Sequence, residues 1–121
     1  MALFHKLTGS PDVDTNTQPI IGIVTQAVDD SLLKVNPKFA DYTSYMMADY
    51  AQYIEGSGAR VIPIVDTESD ETTLAKLGYI NGVLLPGGAG DDQYEAKARF
   101  IYEKAIEIND GGVYFPLWGT C

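Results

Sequence analysis

The chain has 121 residues, 17 of them acidic and 8 basic, for a formal net charge of −9 and a sequence pI near 4.3. At 45% hydrophobic and 21% charged it has ordinary globular composition, enough for one domain or part of one. Eight scattered basic residues argue against nucleic acid and anionic membranes as partners, no apolar run nears a membrane span, and the single cysteine, Cys121, excludes an internal disulfide or a multi-cysteine metal site.

Residues 1–18 read as a flexible lead-in, polar and turn-rich over Ser10-Pro11-Asp12-Val13-Asp14-Thr15-Asn16-Thr17. The lead-in contains no apolar stretch of signal-peptide length. It holds His5, the only histidine, which is expected to be a solvated tail residue. Residues 19–121 read as the N-terminal half of an α/β hydrolase domain. Ile20-Ile21-Gly22-Ile23-Val24-Thr25 is a β-branched run, apolar on both faces, as in a buried parallel strand. A helix is expected over 39–55, where Tyr42, Met46, Tyr50, Tyr53 and Ile54 recur at steps of three and four. These tyrosines read as core and rim. Arg60-Val61-Ile62-Pro63-Ile64-Val65 is the second strand, and Pro63 predicts an edge, a bulge or an unpaired position there.

Asp66, Glu68, Asp70 and Glu71 read as a solvated acidic loop rather than a metal site, with a short helix over 71–76. A third strand is expected over 79–85, and Pro86-Gly87-Gly88 follows it directly. Residues 93–108 give the clearest helix, with Tyr94, Ala98, Ile101, Tyr102, Ala105 and Ile108 on one stripe. Val113-Tyr114-Phe115-Pro116-Leu117-Trp118 reads as a fourth strand in the sheet interior, apolar on both sides. The alternation of strands and helices predicts an α/β fold, a mostly parallel sheet with helices on both faces. Ligands bind such sheets beyond the carboxyl ends of the strands, where Gln26, Gly87-Gly88 and Cys121 fall.

Gly119-Thr120-Cys121 after a strand has the form of a nucleophile elbow. From that spacing alone a buried structural cysteine is the favoured reading. Gly87 and Gly88 could turn backbone N–H groups toward an oxyanion, or could be an ordinary loop needing positive φ. A phosphate loop and a dinucleotide fingerprint are both missing.

Taken together, several blocks resemble the γ-glutamyl hydrolase family of the class I glutamine-amidotransferase-like fold. They are Pro19-Ile20-Ile21-Gly22-Ile23, Tyr45-Met46-Met47-Ala48-Asp49-Tyr50, Gly58-Ala59-Arg60-Val61-Ile62-Pro63, Ile80-Asn81-Gly82-Val83-Leu84-Leu85-Pro86-Gly87-Gly88 and Asn109-Asp110-Gly111. The strongest is Tyr114-Phe115-Pro116-Leu117-Trp118-Gly119-Thr120-Cys121, which resembles the family's approach to its nucleophile. The resemblance implies a thiol hydrolase that cleaves γ-glutamyl bonds, notably of folylpoly-γ-glutamates, through a cysteine acyl-enzyme and without a cofactor or metal. It gives Cys121 the attack and Gly88 N–H a share of the oxyanion, and it puts Tyr45, Gly87 and Gly88 against the substrate. It also implies a catalytic His and acidic partner in a C-terminal half or second chain, a homo-oligomeric (dimeric) complete protein, and a lysosomal, vacuolar or secreted setting.

Two alternatives stand beside it: a glutaminase of the amidotransferase group, or a non-catalytic truncated homologue serving as a binding or structural module. Residues 1–121 alone are expected to be inactive.

Overall fold

The computed structural model describes residues 16–121. His5 and nearly all of the expected lead-in lie outside the described residues. Four strands form one parallel sheet: β1 (Ile20–Val24), β4 (Arg60–Ile64), β5 (Gly82–Leu85) and β6 (Leu117–Gly119), in the order β4-β1-β5-β6. A two-stranded antiparallel ribbon, β2 (Gln26–Ala27) with β3 (Ser44–Tyr45), stands apart from it. The helices are α1 (Asp30–Val35), α2 (Ala48–Gly56), α3 (Asp70–Leu77) and α4 (Asp92–Asp110). No helix among the described residues is long and apolar enough to cross a membrane.

Neighbouring residues of a strand point to opposite faces. Val24, Ile64 and Val83 gather with Leu77 of α3 and Ile101 and Ala105 of α4 in one buried cluster. Ile23 and Leu84 are buried outside that cluster, on the face where α2 packs against β1 and β4. The sheet therefore carries helices on both faces, as expected. The chain runs from β1 outward to β4, returns past β1 to β5, and continues the other way to β6. Strand order thus reverses between β1 and β5, and ligand crevices form at such a switch point.

Four local expectations change. The helix expected over 39–55 is broken up. A 3-10 turn (Pro37–Asp41) and β3 precede α2, which starts only at Ala48. Asn36 accepts a hydrogen bond from Lys38 N–H and Pro37 opens the turn, so side-chain capping ends α1 before the tyrosine pattern begins. Tyr42 and Tyr53 are exposed.

The fourth strand is also shorter than expected, Leu117–Gly119. Asn109 takes both backbone groups of Phe115, donating to its carbonyl at 2.7 Å and accepting from its N–H at 3.1 Å. That holds the chain off the ladder until Pro116, whose carbonyl accepts from Val83 N–H. Phe115 is buried, whereas Tyr114 is 78% and Trp118 60% exposed.

The acidic segment is solvated only in part: Asp70 and Glu71 are exposed, Glu68 is half-buried and Asp66 is buried. Asp66 is 1% exposed. Glu68 accepts from Thr73 and pairs with Lys76, and Asp70 pairs with Lys97. On α4, Tyr102 is exposed, and it is Lys97 that joins Ile101 and Ala105 on the buried face. Pro63 falls on β4, an edge strand, where its missing donor costs no ladder bond.

Candidate active site

The residues singled out at the strand ends meet at the switch point. Thr25, just past β1, locks that end of the sheet. Its N–H donates to Ile64 C=O at 2.9 Å. Its hydroxyl donates to Asp66 Oδ1 at 2.6 Å and accepts from Asp66 N–H at 3.0 Å. The Asp66 carbonyl accepts from Gln93 at the start of α4 at 3.1 Å. The ends of β1 and β4 and the start of α4 are thereby tied together directly beside Gln26.

The Pro86-Gly87-Gly88 segment leaves β5 and is held by three side chains from three elements. Tyr94 of α4 donates its hydroxyl to Pro86 C=O at 2.6 Å. Gly87 N–H donates to the Tyr50 hydroxyl of α2 at 3.1 Å. Gln26 Nε2 donates to Gly87 C=O at 3.4 Å, and Gln26 Oε1 accepts from the Tyr45 hydroxyl at 3.3 Å. Gly88 has φ +131°, a conformation that favours glycine.

Cys121 comes up beside this segment. Thr120 N–H donates to Leu85 C=O at 3.0 Å, which carries the pairing of β5 and β6 up to the residue before the cysteine. A Cβ on Gly87 would stand 2.7 Å from Cys121 Cβ and 2.8 Å from Thr120 O, so only glycine lets the two loops lie this close. Cys121 is exposed and has φ 62°, the one non-glycine residue at positive φ among those described. A side chain in that region costs about 1 to 2 kcal/mol. The sharp turn that brings the Cys121 backbone against Gly87 is compatible with a nucleophile elbow. Gly87, Gly88, Thr120 and Cys121 line a cleft of about 350 Å³ with Pro86 and Tyr94.

Tyr45 is not in that cleft. It reaches Gly88 only through Gln26, and it lines a separate cleft of about 430 Å³ with Val28, Leu32, Phe39, Tyr42 and Met46.

Residues 19–121 match Peptidase C26. The chain belongs to that family. It is similar to gamma-glutamyl hydrolase B of Dictyostelium discoideum, with 43% identity over 110 residues, 88% of this chain and 30% of that protein. Gamma-glutamyl hydrolase of Homo sapiens is 40% identical over 116 residues, 92% of this chain and 34% of that protein. Gamma-glutamyl hydrolase 1 of Arabidopsis thaliana is 36% identical over 113 residues, 93% and 32% of the two chains. The chain thus spans about a third of the length of the curated relatives it matches. The resemblance read from the sequence blocks is a true family relationship, and the parallel sheet flanked by helices agrees with it.

In this Peptidase C26 chain the Tyr94 and Tyr45 phenols are held in their neutral form. Burial pushes the Tyr94 phenol up to about 12, with the neighbouring Tyr50 adding to the shift. Burial, then Asp29 and Tyr50, raise Tyr45 above its usual value. Asp29 is held below the usual carboxylate range by the Ser31 hydroxyl and the Leu32 N–H that it caps. A neutral phenol is what the Tyr94–Pro86 bond requires, since only the protonated form donates.

The unfolded Tyr94 phenol ionises near 10.0 and the folded one near 12, so folding retains a proton that the unfolded chain has lost. That contribution is whole below pH 10.0 and is lost as pH rises through about 12. Tyr94→Phe is expected to flatten this alkaline fall in melting temperature and to cost about 1 kcal/mol at neutral pH for the lost bond. Thermal melts of both proteins across this pH range check it; parallel curves would contradict it.

Among the described residues no group of His, Cys, Asp and Glu could hold a metal. Sequence reading singles out Cys121, Gly87, Gly88 and Tyr45, of which the structure brings the first three to one cleft, and it notes Gln26 at a strand end without a task. It misses Tyr50 and Tyr94, which look like parts of helical stripes. Their only sequence signal is that each could reach the carboxyl end of the sheet from its helix.

Proposed function

We propose that the full-length protein is a thiol hydrolase of γ-glutamyl bonds in which Cys121 attacks the γ-amide carbonyl. The observation that supports this reading is Cys121, at φ 62°, lying flush against Gly87 beside the switch point, in a chain of the Peptidase C26 family. The thiolate sulfur forms a bond to the carbonyl carbon and the carbonyl oxygen takes the charge. Collapse expels the amine, and water then releases the γ-glutamyl acid from the thioester. Gly88 N–H supplies one donor to the tetrahedral oxygen. An imidazole and its acidic partner, from sequence beyond these residues, carry the protons. Folylpoly-γ-glutamates suit the site as substrates, because the cleft beside Tyr45 offers Phe39 and Tyr42 to an aromatic group while the thiol cleft takes the glutamyl chain. A net charge of −9 repels a polyglutamate tail at long range. Local N–H donors offset that repulsion, and so does the acidity of a lysosomal or vacuolar compartment.

The test is cleavage of a γ-linked glutamyl peptide by the full-length protein, with the α-linked isomer as control. Hydrolysis of the γ-linked peptide alone is expected, with an acyl-enzyme on Cys121 seen by mass spectrometry. Hydrolysis of neither peptide would overturn the reading.

Residues 1–121 by themselves are expected to be inactive and to self-associate. Among the described residues β6 has no partner on its outer edge, and Trp118 on it is 60% exposed. Size exclusion and the same assay check both points. A monodisperse, active fragment would contradict the requirement for a base from further sequence.

A further inference from the structure

The N–H of Gly88 and the carbonyl of Gly87 belong to one peptide unit. No peptide among the described residues is cis, so these two groups point in opposite directions. Whatever fixes the Gly87 carbonyl therefore aims the Gly88 N–H. The preceding unit is clamped at both poles, by Tyr94 on Pro86 C=O and by Tyr50 on Gly87 N–H. Between the two units lies only a glycine α-carbon, whose torsions are permissive. The Gly87–Gly88 unit is thus free to turn unless it has its own tether.

Gln26 Nε2 is that tether, at 3.4 Å from Gly87 O. A carbonyl oxygen can only accept, so it selects the amide orientation with nitrogen inward. Gln26 Oε1 then faces the Tyr45 hydroxyl, which donates to it at 3.3 Å. The amide lies against the Gly88 α-carbon, where an added Cβ would meet Oε1 at 3.3 Å. Both bonds are long for their types, as catalytic hydrogen bonds often are before substrate closes the site.

Resting on the hydrolase reading above, we infer that Gln26, oriented by Tyr45, is a positioning residue for the oxyanion hole: it holds the Gly87 carbonyl and so directs the Gly88 N–H at the developing oxyanion. Gln26 acts through the peptide unit. It makes its difference when charge builds on the carbonyl oxygen, so its loss falls on turnover rather than on binding.

The experiment uses the full-length protein and a γ-glutamyl peptide. Gln26→Leu removes the donor at similar size. It is expected to lower kcat by roughly 10- to 100-fold, below the loss for deleting an oxyanion donor outright, with KM little changed. Affinity for a γ-glutamyl aldehyde, which adds the thiol to form a tetrahedral adduct, is expected to fall in parallel. Gln26→Glu supplies a chemical rescue. Its carboxylate faces the carbonyl oxygen without a proton and repels it at neutral pH, while the protonated acid donates again. Its deficit relative to wild type is expected to shrink as pH falls toward ~4.3, the ordinary glutamate value. A simple packing defect would not recover on protonation.

Tyr45→Phe is expected to give a smaller loss of kcat that is not additive with Gln26→Leu. If Gln26→Leu fails to fold, the pH profile of Gln26→Glu decides. Unchanged kcat in Gln26→Leu, or a Gln26→Glu deficit that is flat with pH, overturns the inference. A wild-type protein that cleaves no γ-glutamyl bond overturns the hydrolase reading instead. Activity that Cys121→Ala abolishes and Gln26→Leu leaves intact overturns the positioning role alone.

Discussion

Cys121→Ala in the full-length protein is expected to reduce γ-glutamyl cleavage to background, a loss on the order of 10⁶-fold in turnover, the scale of removing a hydrolase nucleophile. Its melting temperature is expected to stay near that of wild type. Alanine keeps the Cβ that lies against Gly87, so the close approach of the two loops and the backbone conformation at φ 62° are the same in both proteins. Substrate still binds, because the glycine segment and the cleft around it are intact. Equilibrium binding of the γ-linked peptide to the variant, beside its steady-state rate, separates the two effects. Activity near wild type would remove Cys121 from the mechanism.

Gly88→Ala is expected to have the next largest effect, roughly 10²-fold or more in kcat with a lesser change in KM. At φ +131° an alanine is strained whatever the space around it, and its Cβ would press on Gln26. Relief requires the backbone to rotate, which turns the peptide unit carrying the Gly88 N–H. The damage thus reaches the donor without touching the thiol. Alkylation of Cys121 by iodoacetamide is expected to proceed at the wild-type rate. A variant that lost only affinity would give Gly88 a plain substrate-contact role instead.

These expectations differ in how far the amino-acid sequence foretells them. Cys121 and Gly87-Gly88 are legible because they follow β-branched or apolar runs that can hardly be anything but parallel strands, and a ligand site in such a sheet lies at those ends. The strands are legible for the same local reason. The segment from Gln26 to Met47 is not. Its apolar spacing fits a helix, yet Asn36, Pro37 and a two-residue ribbon decide its path, and that ribbon exists only because Gln26 and Tyr45 are opposite each other across the chain. Tyr50 and Tyr94 sit at helical spacing, and nothing in that spacing tells a packed ring from one whose hydroxyl ends on a glycine loop. The buried Asp66 and Lys97 are illegible for a different reason. Charged residues are ordinarily solvated, and only the fold shows that Lys97 comes within reach of Asp70 and Thr73.

That lysine has a practical consequence. The Lys97 ammonium is 3% exposed with its residue and donates to Glu68 C=O, Thr73 Oγ1 and Asp70 Oδ1, all within 3.0 Å. Acylating reagents attack the free amine, which this site withholds until α3 separates from α4. The rate at which Lys97 is labelled therefore times that separation, while Lys76 and Lys104, with side chains 28% and 30% exposed, serve as internal references in the same sample. Because Gln93 at the head of α4 is bonded to the end of β4, and Tyr94 beside it to the glycine segment, a reagent that never enters the thiol cleft would report how often the scaffold beneath it comes apart.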